Sequence, residues 1–173
     1  MRLIKPKFWE TKNFLSLIFF PFSIFTYLVN ITKKFSIKKN FEIKTICVGN
    51  IFLGGTGKTS LAIEINELLK KKFKTVFIKK NYENQSDEIN LLSNKGKIIS
   101  SDDRESALLS AEKKKYKVAI LDDGLQQKNI NYDLKIVCFN SEYALGNEYM
   151  LPAGPLRENL NEVKNYDLIF LNG

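Results

Sequence analysis

The side chains with the clearest chemical potential lie in one short run, Gly54-Gly55-Thr56-Gly57-Lys58-Thr59. Glycines let backbone amides approach an anion closely, and a helix starting near Lys58 would add the positive end of its dipole. A lysine at this place reaches the β- and γ-phosphates of a nucleoside triphosphate, and the following threonine hydroxyl can ligate Mg2+. The strict pattern G-x-x-x-x-G-K-[ST] is not met, because Phe52 stands where its first glycine would be. Leu53 also occupies the place where some variant loops carry a second lysine. The run therefore predicts a variant phosphate-binding loop for a triphosphate with magnesium.

Three further groups could complete such a site. Val118 through Gly124 reads as an apolar strand ending in Asp122 and Asp123. In nucleotide-binding folds a strand-end Asp beside the loop holds magnesium or its water. A strand followed by a plain Asp-Gly turn has the same pattern. Asp87-Glu88 lies in a polar segment after the next strand. Asp87 is a candidate to orient or deprotonate an attacking hydroxyl, with a solvated helix start as the alternative. Leu151 through Glu158 is a rigid Pro/Gly loop delivering Arg157, one of only three arginines. The chain has no histidine, which excludes a Ser-His-Asp triad or a His-ligated zinc site within it.

These groups need a scaffold, and the apolar pattern supplies one. Short runs at Thr45–Val48, Thr75–Ile78, Ile98–Ile99, Val118–Leu121, Leu134–Phe139 and Leu168–Leu171 alternate with helical patterns over 58–70 and 104–113. In the first of these helices Leu61, Ile65, Leu68 and Leu69 are expected on one face. The fold expected is α/β and P-loop NTPase-like, a mostly parallel sheet with flanking helices over 45–173. Residues 1–44 form a separate basic and hydrophobic membrane-associated segment. Its core, 14–31, is uncharged and rich in Phe, Leu and Ile, with Lys12 before it and Lys33-Lys34 after. Such a helix suits a cytoplasmic leaflet, lying in it or dipping into it; packing against the domain is the other reading. A final strand at 168–171 without a covering helix leads us to expect that the chain is truncated.

Charge and thiols narrow the class. Residues 1–44 carry nine basic and two acidic side chains, and the other 129 carry 18 and 17, so the net +8 belongs to the N-terminal segment. A nearly neutral body argues against a nucleic-acid partner, and no protein partner is predicted. Cys47 and Cys138 lie inside apolar runs, as buried thiols in a reducing cytoplasmic compartment do.

Together the motifs resemble one family, the tetraacyldisaccharide 4'-kinases of Gram-negative lipid A synthesis. The resemblance rests on Pro6-Lys7-Phe8-Trp9, Val48-Gly49-Asn50, the glycine loop, Asp87-Glu88, Asp122-Asp123-Gly124-Leu125-Gln126, Gly146-Asn147, Leu151 through Glu158 and Asn172-Gly173, in order. It implies transfer of the ATP γ-phosphate to the 4'-hydroxyl of a tetraacylated disaccharide 1-phosphate, giving lipid IVA at the cytoplasmic face of the inner membrane. By motif match Lys58 binds phosphates, Thr59 with Asp122 and Asp123 manages Mg2+, and Asp87 acts on the acceptor hydroxyl. Glu88 and Arg157 belong to the substrate surround.

Two departures stand out. Gln127 replaces a usual His, and the family's glycine- and tyrosine-containing motif survives only as Lys79 through Glu83. The resemblance also implies sequence beyond Gly173, with a histidine and a small second lobe. A membrane-tethered nucleotide switch and an inactive remnant are the competing readings.

Overall fold

The computed structural model describes residues 5–81, 86–142 and 145–173; Tyr82 and Glu83 of the motif after the second strand lie outside them. Six strands form one sheet: β1 (Lys44–Gly49), β2 (Thr75–Lys80), β3 (Ile98–Ser101), β4 (Val118–Asp122), β5 (Leu134–Asn140) and β6 (Leu168–Asn172). Their order is β3-β2-β4-β1-β5-β6, and every pairing is parallel. The chain leaves β1 toward one side of the sheet and later crosses to the other. This puts a topological switch point at β1 and β4, the place where parallel α/β sheets bind ligands.

The helices are α1 (Phe14–Lys34), α2 (Lys58–Leu69), α3 (Ser86–Ser93) and α4 (Arg104–Lys113). Successive strand residues point to opposite faces of the sheet, and each face has its own core. Val76, Ile78, Ala119, Leu121, Val137 and Phe139 pack with Ala107, Leu108 and Ala111 of α4. Val48, Phe77, Val118, Ile120, Ile136 and Cys138 pack with Ala62 of α2 and Leu92 of α3. Each fully buried aliphatic side chain contributes about 1.5–3 kcal/mol of transfer free energy. Both cysteines are buried as expected, and burial pushes each thiol up to about 12.

One expectation is corrected, and the helix start weighed for Asp87-Glu88 is present. Leu68 points to solvent, and α2 instead buries Ala62 and Asn66 between the half-buried Leu61, Ile65 and Leu69. Asn66 is tolerated there because its side chain accepts from Thr75 Oγ1 at 2.7 Å and donates to the Lys95 carbonyl at 3.2 Å. The segment after β2 is helical from Ser86, with Asp87 and Glu88 in the first turn, where a helix favours acidic side chains.

The N-terminal end of the central strands is pinned by Asp133. Its carboxylate accepts from the Thr45 amide and hydroxyl at 2.9 Å each and from Lys44 Nζ at 2.8 Å. Burial alone would raise its pKa, but the bonds from Lys44 and Thr45 outweigh burial and lower it. A depressed folded pKa means the stabilisation is present above the unfolded value, about 3.9, and is lost as pH falls through the folded one. Asp133→Ala should therefore cost about 1 kcal/mol at pH 7, discounted for partial exposure. In urea titrations the gap between wild type and variant should narrow as pH falls below the ordinary carboxylate range.

Candidate functional site

The glycine loop follows β1 and ends at Gly57, the residue before α2. Gly57 has φ 77°, a left-handed conformation that favours glycine, and a methyl there would lie 2.9 Å from the Asn172 side chain. Asn172, the last residue of β6, is thus packed against the loop. Asn50 braces the loop from inside by donating to the carbonyls of Phe52 at 2.7 Å and Gly54 at 3.2 Å. A methyl on Gly55 would meet nothing within 4 Å, so the loop faces open space. The Thr56 hydroxyl is buried and has no partner among the described residues. The first amides of α2 have no carbonyl one turn earlier to bond. Together these features leave backbone donors aimed at an anion.

Strand pairing sets Asp122 level with Val48, immediately before the loop. Alternation continues the Val118–Ile120 face to Asp122, which therefore looks toward α2. Thr59 Oγ1 donates to Asp122 Oδ2 at 3.2 Å, while Asp122 Oδ1 is buried with no partner among the described residues. Thr59 and Asp122 are thus the pair that could hold a cation beside the phosphates. No cluster of three or more His, Cys, Asp or Glu ligands exists among the described residues. The unpartnered Asp122 oxygen beside the Thr59 hydroxyl suits an ion bound by one or two protein groups, with phosphate and water supplying the rest.

Lys79 is a site residue to which motif reading gave no role. One step beyond the Ile78–Leu121 pair it is level with Asp122 and on the same face. Its side chain is only 2% exposed. Nζ lies 2.5 Å from Asp122 Oδ2 and also pairs with Glu88 Oε2. Burial works to lower the Lys79 pKa, yet attraction to Asp122 and hydrogen bonds to Asp122 and Glu88 more than offset it. The net shift is upward, so the ammonium persists at neutral pH and is lost only as pH rises through its elevated value. The sequence signal was available: a lysine in register with apolar strand residues on a buried face.

Asp123 goes elsewhere. It has φ 62°, and its carboxylate pairs with Arg157 at 3.1 Å rather than turning to Thr59. Arg104, buried at the first turn of α4, donates to the Asp123 carbonyl at 2.6 Å and to Gln127 Oε1 at 3.1 Å. Two of the three arginines therefore converge on Asp123. A cavity of about 550 Å3 opens here, lined among others by Lys33, Lys80, Arg104, Asp123 and Arg157. The Lys58 side chain makes no hydrogen bond or ion pair among the described residues, and the residue begins α2 at the loop. Asp87 is exposed on the first turn of α3, next to the half-buried Glu88.

The Pro/Gly loop is tied to both the site and α1. The Arg157 amide donates to the Ile51 carbonyl at 2.7 Å, and the Leu53 amide to the Pro155 carbonyl at 2.9 Å. A methyl on Gly154 would lie 2.1 Å from Asn147 Oδ1, so only glycine fits there. From α1, Ser23 donates to the Met150 carbonyl at 2.8 Å and Asn30 to the Arg157 carbonyl at 2.7 Å. Lys34 pairs with Glu162 at 2.6 Å. Ser16, Ser23 and Asn30 recur every seven residues, two helical turns, and form a polar stripe against the domain. Phe14, Leu17, Ile18, Phe22, Phe25 and Leu28 face outward and are exposed. The helix is long and apolar enough to cross a membrane, but its polarity is inverted relative to a surface helix of a globular protein.

Comparison with known proteins agrees with this fold. Residues 14–99 and 79–173 match the family model of Tetraacyldisaccharide-1-P 4'-kinase. The chain is 52% identical over 176 residues to the tetraacyldisaccharide 4'-kinase of Pelagibacter ubique, covering 100% of this chain and 56% of that protein. The corresponding Rickettsia typhi protein is 33% identical over 190 residues, covering 99% of this chain and 59% of its own length. Among solved structures, LpxK from Aquifex aeolicus in complex with ATP superposes with a TM-score of 0.80 at 27% identity, covering 91% of this chain and 59% of that one. The chain thus spans a little over half the length of the relatives it matches. On the family match and this shared architecture, the chain belongs to the tetraacyldisaccharide-1-P 4'-kinase family.

Proposed function

We propose that this chain carries the nucleotide-binding and acceptor-carboxylate part of a kinase that phosphorylates the 4'-hydroxyl of a tetraacyldisaccharide 1-phosphate, forming lipid IVA in lipid A synthesis. The observation that carries the reading is the junction built by residues 150–158. One loop holds Arg157 against Asp123 and is itself held by the polar stripe of an outward-apolar helix. A membrane-tethered nucleotide switch would need such a helix only as an anchor, whereas here it also bonds the loop that presents Arg157 to Asp123.

In this reading the loop amides and Lys58 hold the ATP phosphates, and Thr59 with Asp122 holds Mg2+. When bound, Mg2+ neutralises charge on the phosphate oxygens. Asp87 receives the proton of the 4'-hydroxyl as its oxygen bonds to the γ-phosphorus. The bond from that phosphorus to the bridging oxygen breaks, and ADP leaves. Arg157 and Glu88 flank the acceptor. The apolar face of α1 lies in the cytoplasmic leaflet of the inner membrane, where the acyl chains remain buried while the sugar enters the cavity between Lys33, Arg104 and Arg157.

The complete protein, in mixed detergent–lipid micelles with ATP labelled at the γ-phosphate, should transfer label to the disaccharide acceptor. Tight ATP binding without lipid labelling would rule the reading out.

A further inference from the structure

Lys79 stands where the pattern Val76, Phe77, Ile78 would continue with a buried aliphatic side chain. A buried ammonium is costly unless its charge is fully compensated, and here two carboxylates from different elements compensate it. Asp122 belongs to β4 and contacts Thr59 at the start of α2, on the nucleotide side. Glu88 belongs to the first turn of α3 and follows Asp87 directly. One buried cation therefore joins the two halves of the site. Other attachments of α3 to the body are few: it packs on α2 and β3, with Leu92 as its fully buried apolar anchor. An exposed carboxylate on a short helix would otherwise swing relative to the phosphates, and a misplacement near 1 Å can cost about 10²-fold in rate.

We propose that Lys79 is a positioning residue: by clamping Glu88 to Asp122 it holds Asp87 in register with the phosphate-binding loop. The proposal rests on Asp87 being the group that receives the acceptor proton. Asp122 stays in place in every variant of the clamp, so nucleotide affinity, supplied by the loop, Lys58 and the Thr59–Asp122 pair, should change little when the clamp is broken.

The test uses the complete protein in mixed detergent–lipid micelles with Lys79→Met, Lys79→Arg, Glu88→Gln and the double variant Lys79→Met/Glu88→Gln. Lys79→Met should lower kcat about 10²-fold while changing the KM for ATP less than about 3-fold. Lys79→Arg should recover much of the loss, since it keeps the charge. The double variant should fall no further than Lys79→Met alone, because both changes break the same clamp. Parallel losses in kcat and ATP KM, multiplicative single effects, or a Lys79→Met kcat close to wild type would each overturn the proposal. Should Lys79→Met fail to fold, Glu88→Gln decides. It leaves the Lys79–Asp122 pair intact and should lower kcat with the KM values for ATP and for the disaccharide acceptor little changed; an unchanged kcat, or a loss confined to the acceptor KM, would overturn the clamp. A wild-type protein that binds ATP but labels no disaccharide would instead overturn the functional reading, and the clamp's role with it.

Discussion

Asp87→Asn is expected to lower kcat for phosphoryl transfer by about 10²- to 10⁴-fold, the usual worth of a positioned general base, with ATP affinity nearly unchanged. The amide keeps the size of the side chain and loses its capacity to take a proton. Asp87 occupies the first turn of α3, where a carboxylate also stabilises the helix by about 0.3–1 kcal/mol. The two roles separate cleanly in experiment. A helix-capping role alone predicts a small drop in melting temperature and an unaltered single-turnover rate. The catalytic role predicts the reverse, a rate collapse in a protein of near wild-type stability. Single-turnover measurement at saturating ATP and acceptor isolates the chemical step from product release.

Charging the outer face of α1 should have the second large effect. Phe22 is 62% and Phe25 73% exposed, and both lie on the face turned away from the domain. Each buried phenylalanine side chain gains about 1.5–3 kcal/mol on leaving water. Phe22→Asp/Phe25→Asp should then weaken partitioning onto vesicles by about 10²- to 10⁴-fold. Sedimentation with vesicles of phosphatidylethanolamine and phosphatidylglycerol measures this directly. Because Ser23 and Asn30 still grip the Met150 and Arg157 carbonyls, ATP binding should survive. Vesicle binding equal to wild type would show that this face is covered by something other than lipid.

The two predictions concern opposite ends of one mechanical path. The polar stripe of α1 holds the loop over 150–158, that loop presents Arg157 to Asp123, and Arg104 secures the Asp123 backbone from α4. A substrate with its chains in the leaflet and its sugar in the cavity would span the same path. Arginine suits this junction because its fixed fork can serve carboxylate and phosphate alike.

Much of this was legible in the residues themselves. The glycine loop announces a phosphate site because few other patterns place consecutive small residues, a lysine and a threonine between a strand and a helix. Strand positions followed from apolar runs, and all six lie where those runs do, most extended by one or two residues at their ends. The uncharged run of α1 marked a helix unsuited to water. The helix over Arg104–Lys113 lies where the helical pattern puts it, and Asp103 caps it by accepting from the Ser106 amide at 3.0 Å.

Tertiary structure decided what depends on register and facing. Lys79 reads as one more lysine until β2 is set beside β4, when alternation drives it inward onto Asp122. Asp122 and Asp123 look interchangeable in sequence, yet the strand ends between them, so one faces α2 and the other turns to Arg157. The apolar run of α1 was visible, but its serines and asparagine mean a docking stripe only once the loop they bond is folded against them. Local sequence fixes which residues can do chemistry, because that is a property of side chains and short-range backbone. Which of them meet is a property of strand register, set by the whole sheet at once.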